Sequence, residues 1–294
     1  LVRAEGGWDA VERGIEAHSR QLVGSHGWLA AAGYYELGEV RRLRGDPEGA
    51  RRAFGLVRAL GDDPQPGAAL LLASAGDVPG ALAELQASLA GRDRLGRARL
   101  LLPAVEVALE AGEPAYAAVL ADELEAIAAF HDSPGLRARA QQARALLHLR
   151  SGRPSDALPL LDGAARTYRE QRFRHASAAV HELLAQAHRE LGHEPTAAAE
   201  EATALAIYRQ LGAGPDVRRL SREEAPGGLS PRELQVLACI ASGAGNRAVA
   251  HHLVISEKTV SRHLANIYLK LGVGSRTAAA AWAHEHGIAP ASVD

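Results

Sequence analysis

Residues 253–273 read LVISEKTVSRHLANIYLKLGV, and their spacing predicts one amphipathic helix with a defined start and stop. Ser256 stands where a side-chain oxygen can accept from the first free backbone N–H groups. With Thr259 rather than Glu at the third position, it forms a simple cap and not a box. Gly272 supplies the residue that ends the helix, which therefore runs from about Glu257 to Lys270. Val260, Leu264, Ile267 and Leu271 recur at helical spacing and form the inward stripe. Lys258, Ser261, Arg262, Ala265 and Leu269 share the opposite side. That face is small near its start, at Ser261 and Ala265, and carries a long cation at Arg262. A face of this shape fits a groove about 12 Å wide and can set donors against base edges.

The flanking residues extend the pattern. Ser230-Pro231-Arg232-Glu233 reads as a capping box, with Ser as cap, Pro at the first helical position and Glu three residues past the cap. The helix that follows is expected to turn Leu234, Leu237, Ala238 and Ala241 inward and to stop before Gly243. A second short helix, Asn246–Leu253, turns Val249, Ala250 and Leu253 inward, and Val254-Ile255 is the tight connection. After Gly272 a fourth, Ala-rich helix runs from about Arg276 to His286 and ends at Gly287. Two short helices, a tight turn and a third helix with a groove-sized face make the general helix-turn-helix pattern. The two preceding helices are expected to hold the frame against phosphates, partly through their N-termini.

Residues 229–283 closely resemble the LuxR/NarL/MalT-type helix-turn-helix family. The stretches that carry the likeness are LSPRELQVL (229–237), ASGAGNRAVA (241–250), LVISEKTVSRHLANIYLKLGV (253–273) and SRTAAA (275–280). The resemblance implies a four-helix domain whose third helix reads the major groove of double-stranded DNA and whose last helix mediates dimerisation on a two-fold site. Carried over by position, Lys258, Thr259, Ser261, Arg262 and Ala265 fall at or near DNA-contacting places, and Lys270 and Arg276 supply backbone contacts. His263 matches the family's usual histidine, in a packing or phosphate-side role. Many members have Lys where Ser261 stands, which shifts the expected base contacts toward Arg262. Ala278, Ala279 and Trp282 lie on the expected dimer helix.

Upstream, residues 1–212 read as helices joined by short Gly/Pro turns. One element recurs: Gly, four residues, then Ala, at Gly45–Ala50, Gly76–Ala81, Gly112–Ala117, Gly152–Ala157 and Gly192–Ala197. Successive glycines lie 31, 36, 40 and 40 residues apart, and each is followed within three residues by Pro47, Pro79, Pro114, Pro154 or Pro195. The Gly permits the left-handed backbone that closes one helix, and the Pro fits the first turn of the next. The Ala leaves room for the preceding helix to pack closely. Around the first turn, Tyr34, Leu37 and Val40, then Ala50, Phe54 and Val57, keep helical spacing. Such a period of paired helices is the signature of a solenoid. The segment resembles a tetratricopeptide-type array, with Leu37-Gly38 and Phe54 near family positions and later units longer than the standard repeat. An irregular helical bundle without a groove is the alternative. Residues 213–228 carry Gly, Pro and little apolar content and read as a linker, with a short helix through Val217–Glu224.

The expected fold is therefore all-α: an antiparallel helical-repeat, tetratricopeptide-like solenoid (1–212), the linker (213–228) and a four-helix helix-turn-helix domain (229–294). Composition agrees, with 47% hydrophobic and only 4% aromatic residues, a core built from Leu, Ala and Val. Formal net charge is −2, but six Lys or Arg stand against four Asp or Glu from Leu229 onward, including both lysines of the chain. Bulk electrostatics thus do not make this a polyanion binder, and any cationic character sits in the last domain. The basic stretch Arg41-Arg42-Leu43-Arg44 with Arg51-Arg52 reads as a basic patch or, more simply, as the solvated face of a helix pair. Lone Cys239 rules out an internal disulfide and any CxxC metal site, and its apolar run predicts a buried place. No leader segment and no apolar run of 18 or more residues is present, so a cytoplasmic location is expected. The chain begins at Leu1 and contains no Met, which leaves room for an upstream segment.

Among the 13 histidines no Cys/His/Asp cluster has ligand spacing, and no G-x-S-x-G elbow or GxxxxGK[ST] loop occurs. No catalytic residue, metal or cofactor is expected. Residues 1–212 show neither the αβ alternation of a phospho-receiver nor the α/β pattern of an acyl-homoserine-lactone sensor. They are similar to the repeat region of MalT-like regulators, which implies an effector (a peptide, protein or small molecule) on the repeats. The resemblance further implies a homodimer on a pseudo-palindromic promoter site, close to RNA polymerase. The other class in play is a repeat-based protein-interaction adaptor whose helix-turn-helix domain does not read DNA specifically.

Overall fold

A computed structural model describes residues 7–221, 227, 229, 231–253, 257–286 and 288. The side chains of residues 10, 11, 13, 231 and 232 are not described. Contacts divide the chain into two units, Leu1–Val217 and Arg218–Asp294. All regular structure among the described residues is helical.

The first unit contains α1 (Trp8–Leu22) and five antiparallel helix pairs, and a short helix that follows them spans the division at Val217. The pairs are α2/α3 (Gly27–Arg44, Pro47–Ala59), α4/α5 (Gly67–Ser74, Val78–Ala90) and α6/α7 (Arg94–Glu110, Pro114–His131). They continue with α8/α9 (Pro134–Arg150, Pro154–Glu170), α10/α11 (Arg174–Glu190, Glu194–Leu211) and then α12 (Gly214–Leu220). Each of the five glycines read from the sequence closes the first helix of a pair with positive φ, between 66° and 92°. At all five, the N–H of the next residue reaches back to the carbonyl five positions earlier, as Asp46 to Arg41 at 2.9 Å and His193 to His188 at 2.8 Å. This is the Schellman arrangement, which satisfies carbonyls the helix end leaves open. The five prolines occupy the first turns of the second helices. Ala50, Ala81, Ala117, Ala157 and Ala197 have no exposed surface, as helices packed this closely require.

The joints between pairs are built differently, and the sequence period drifts because the helices differ in length, from 8 residues in α4 to 18 in α7. Asp93 accepts from the Gly96 N–H at 2.8 Å and Ser133 accepts from Leu136, each capping the helix after a joint. Such a cap contributes about 1 kcal/mol. At the joint before α10, Phe173 N–H bonds Tyr168 O at 2.8 Å, the same Schellman closure, but Arg172 holds the left-handed position with φ 58°. A side chain in that conformation costs about 1 kcal/mol relative to glycine.

First helices of successive pairs lie side by side: α2 with α4, α4 with α6, α6 with α8 and α8 with α10. Second helices make no comparable contacts with one another. The side formed by the first helices is therefore the tighter, inner one, as in a solenoid that buries its core between neighbouring repeats. Apolar clusters fill the space between the helices, with Leu85, Leu101 and Leu124 in the middle pairs and Leu161, Val180 and Leu184 further on. Gly38 is required for this packing, because a Cβ there would stand 2.5 Å from the Phe54 ring.

Polar groups also face inward. Arg99 lies over the Tyr35 ring, and Arg139 donates to the Arg99 carbonyl at 2.9 Å. Tyr168 donates to Gln142 at 3.0 Å, and Gln142 lies 3.5 Å from Glu106. Burial pushes the Glu106 carboxyl up to about 7, against the opposing pull of Arg139 and Arg42. The array returns on itself here: the buried Trp8 ring of α1 lies 6.3 Å from the His175 ring of α10. His175 also meets the Tyr208 ring and the Asp216 carboxylate, the latter at 3.0 Å.

The second unit contains α13 (Pro231–Ala241), α14 (Asn246–His252), α15 (Glu257–Leu271) and α16 (Arg276–Glu285). Helix α13 packs against α15 and α16, and α14 packs chiefly against α15. Val236, Leu237, Ile240, Val249, Val260, Leu264, Ile267 and Ala283 form the core, and Cys239 is buried among them. The inward stripe of α13 differs from the expected one. Val236, Leu237, Cys239 and Ile240 are buried, while Leu234, Ala238 and Ala241 are only half-buried. A helix packed on two neighbours buries a broader face than a single stripe. Ser275 caps α16 by accepting from the Ala278 N–H at 3.1 Å. The expected caps Ser230 and Ser256, the turn at Val254-Ile255 and the stop at Gly287 lie outside the described residues. The expected linker helix begins earlier than the sequence suggests, as α12 at Gly214, directly after Gly212 closes α11 with φ 72°.

Candidate nucleic-acid interface

Helix α15 separates cleanly into two faces. Val260, Leu264 and Ile267 point into the core, and Lys258, Ser261, Arg262, Ala265 and Leu269 are exposed. Thr259 is half-buried at the boundary. Neither Lys258 nor Arg262 has an acidic partner among the described residues, so both cations are held in water at the surface. The exposed start of the face is narrow, because Ser261 and Ala265 add little bulk beyond the backbone. His263 is half-buried between the two faces.

Three polar residues tie this helix to its neighbours. Asn246, the first residue of α14, donates from Nδ2 to Ser261 Oγ at 3.3 Å, and Ser261 Oγ donates to the Glu257 carbonyl at 3.0 Å. Arg276, at the start of α16, donates to Asn246 Oδ1 at 2.8 Å and also to the Ala244 carbonyl. The chain Arg276–Asn246–Ser261 therefore links three helix starts. Asn246 was not singled out by sequence reasoning, though its amide at a helix start beside Gly245 was the available signal. Arg247, next to it, is exposed with no acidic partner among the described residues and adds a third free cation to this end of the domain.

Lys270 lies at the other end of α15 and donates to Glu233 Oε2 of α13 at 2.6 Å. On α16, Ala279 has no exposed surface and belongs to the domain's own core, whereas Ala278 and Trp282 are half-buried. Trp282 stacks on His286 at 3.8 Å between ring centres, near-parallel at 12°. Among the described residues no group of three or more His, Cys, Asp or Glu is placed to hold a metal ion, and no helix is long and apolar enough to cross a membrane.

Residues 228–283 match the profile of bacterial regulatory proteins of the luxR family. The second unit carries a LuxR-family helix-turn-helix domain. Its relatives include the transcriptional regulatory protein LiaR of Bacillus subtilis, 45% identical over 58 residues, which are 20% of this chain and 28% of LiaR. The nitrate/nitrite response regulator protein NarL of Escherichia coli is 35% identical over 92 residues, 31% of this chain and 43% of NarL. The CsgBAC operon transcriptional regulatory protein of Escherichia coli is 41% identical over 58 residues, 20% of this chain and 27% of that protein. The chain thus spans less than half the length of each of these relatives. In this domain α15 is the third helix and lies within the matched residues.

Proposed function

We propose that the protein is a DNA-binding transcriptional regulator that reads double-stranded DNA through α15. The observation that carries this reading is the bare outer face of α15: Lys258, Ser261, Arg262 and Ala265 are exposed, while Val260, Leu264 and Ile267 lock the opposite face into the domain. Arg262 is the base reader, since a guanidinium can bond the two acceptors of a guanine edge. Lys258 and Thr259 flank it, and Arg276 and Lys270 hold the frame as well as facing the backbone side. The protein acts as a homodimer through α16, with Ala278 and Trp282 at the contact and Ala279 supporting it from within. A two-fold dimer calls for half-sites about one helical turn apart in a pseudo-palindromic promoter site, next to RNA polymerase. An effector on the helical repeats sets the dimer's activity in the cytoplasm.

Selection of DNA from a random pool by the purified chain tests this reading. The expected product is a two-fold repeated motif, whereas an unenriched pool contradicts specific reading. The second reading, a repeat-based adaptor, has one observation in its favour: Leu269 is 84% exposed on the same helix, a surface group suited to a protein contact. An unenriched pool would select that reading.

A further inference from the structure

A cavity of about 720 Å³ opens between α9 and α11, floored by α10. That volume holds a metabolite-sized molecule. Its rim carries three cations, Arg169, Arg172 and Arg174, against a single lining acid, Glu200, which is itself engaged by His181 Nδ1 at 2.5 Å. Arg174 donates to the neutral Gln210, and Arg169 and Arg172 have no acidic partner among the described residues. Several arginines nearby are paired with acids: Arg144 with Asp122 and Glu125, Arg153 with Asp156, Arg189 with Glu194 and Glu201. Three cations thus stand together at this rim against one engaged acid.

The floor adds hydrogen-bonding groups. Ser177 is 5% exposed, and its hydroxyl has no hydrogen-bond partner among the described residues. His181, one helical turn on, is 8% exposed and is oriented through its other ring nitrogen, which leaves Nε2 for a ligand. Ser177 and His181 make no hydrogen bond to each other, so the pair is a binding surface and not an activated nucleophile. Ile207 and the Tyr168 ring supply an apolar wall. Arg172 occupies a left-handed turn position that glycine fills in the five within-pair turns. A long cation is thus kept at the rim where the backbone favours a residue without a side chain.

We infer that this cavity binds a small organic anion, its carboxylate or phosphate held by Arg169, Arg172 and Arg174 and its polar body by Ser177 and His181. As the effector site of a regulator, it rests on the function proposed above; as a binding site it does not. Guanidinium groups in a fork geometry suit both anionic groups.

Calorimetric titration of the full chain with glucose 6-phosphate and with citrate, using glucose as the neutral control, tests the assignment. Saturable one-to-one binding of at least one anion is expected, and none of glucose. Arg172→Gly removes the cation while giving the turn the residue its backbone prefers, so this variant stays folded with an unchanged or higher melting temperature. It is expected to bind at least about tenfold more weakly, the loss of one charge-assisted contact, and Ser177→Ala to bind more weakly than wild type. No binding of either anion, or equal binding by Arg172→Gly, overturns the site. A mobility shift on the same preparation separates the two claims. Anion binding without specific DNA binding upholds the site and sinks the regulator reading. Specific DNA binding without anion binding overturns the site alone.

Discussion

Lys270 Nζ lies 2.6 Å from Glu233 Oε2, and Glu233 is nearly buried while Lys270 is two-fifths exposed. The pair fastens the end of α15 to α13, the first helix of the domain. The same lysine is one that family position assigns to the DNA backbone, so its two roles make different predictions. Lys270→Ala is expected to destabilise the C-terminal domain by about 1–3 kcal/mol, because it removes the Lys270 ammonium from a nearly buried carboxylate. Urea unfolding of the full chain, followed at the transition of this domain, measures it. Unchanged stability with a salt dependence of DNA binding shallower by about one ion would instead give Lys270 to the phosphates.

Asn246→Ala removes the link between Arg276 and Ser261. A loss of about 0.5–1.5 kcal/mol in stability is expected, the net worth of an intramolecular hydrogen bond in a partly exposed place. Because the link sets α14 against α15, affinity for a selected DNA site is expected to fall further than stability does. Equal affinity in wild type and variant would show that the helix angle is set by the apolar core alone.

Gly38→Ala puts a methyl group 2.5 Å from Phe54 Cε1 within a pair of helices that has no slack. The ring must move or the helices must part, at a cost of about 1–3 kcal/mol. Thermal unfolding of the full chain reads the change. Relief by the second change Phe54→Leu would identify the ring as the obstacle.

Glu106 gives the repeat unit a pH dependence with a definite sign. Its carboxyl is raised to about 7 in the folded chain from an ordinary value near 4.5, so the folded state holds more protons than the unfolded state between those values. Its contribution is fully present below the unfolded value and is lost as pH rises through about 7. Glu106→Gln is expected to be about 1–2 kcal/mol more stable than wild type at pH 8, with the difference vanishing near pH 4.5. Denaturant midpoints across that range check it, and a constant offset would contradict the sign.

The sequence carried the fold where local chemistry repeats. Five Gly-to-Ala turns announced five helix pairs because each needs a left-handed residue, an N-terminal proline and a small buried contact. Joints between pairs were illegible, since Asp93 and Ser133 cap the next helix while Arg172 takes a left-handed position. On α15 the two faces were legible from residue type, as Val260, Leu264 and Ile267 could only turn inward. The hidden engagements of Ser261, Lys270 and Arg276 were not, because a polar residue's partner lies on another helix and leaves no periodic trace. The rim of Arg169, Arg172 and Arg174 escaped notice for the same reason: three arginines within six residues look like any solvated helix end until the cavity beside them is seen.

The most direct measurement is the affinity of wild type and Arg262→Ala for a selected DNA site and for a scrambled one, at a fixed salt concentration. The account predicts that Arg262→Ala loses about 1–3 kcal/mol of discrimination between the two sites, with the scrambled-site affinity changed little and unfolding unaffected. Equal, weak binding of both DNAs by wild type and variant alike would contradict it.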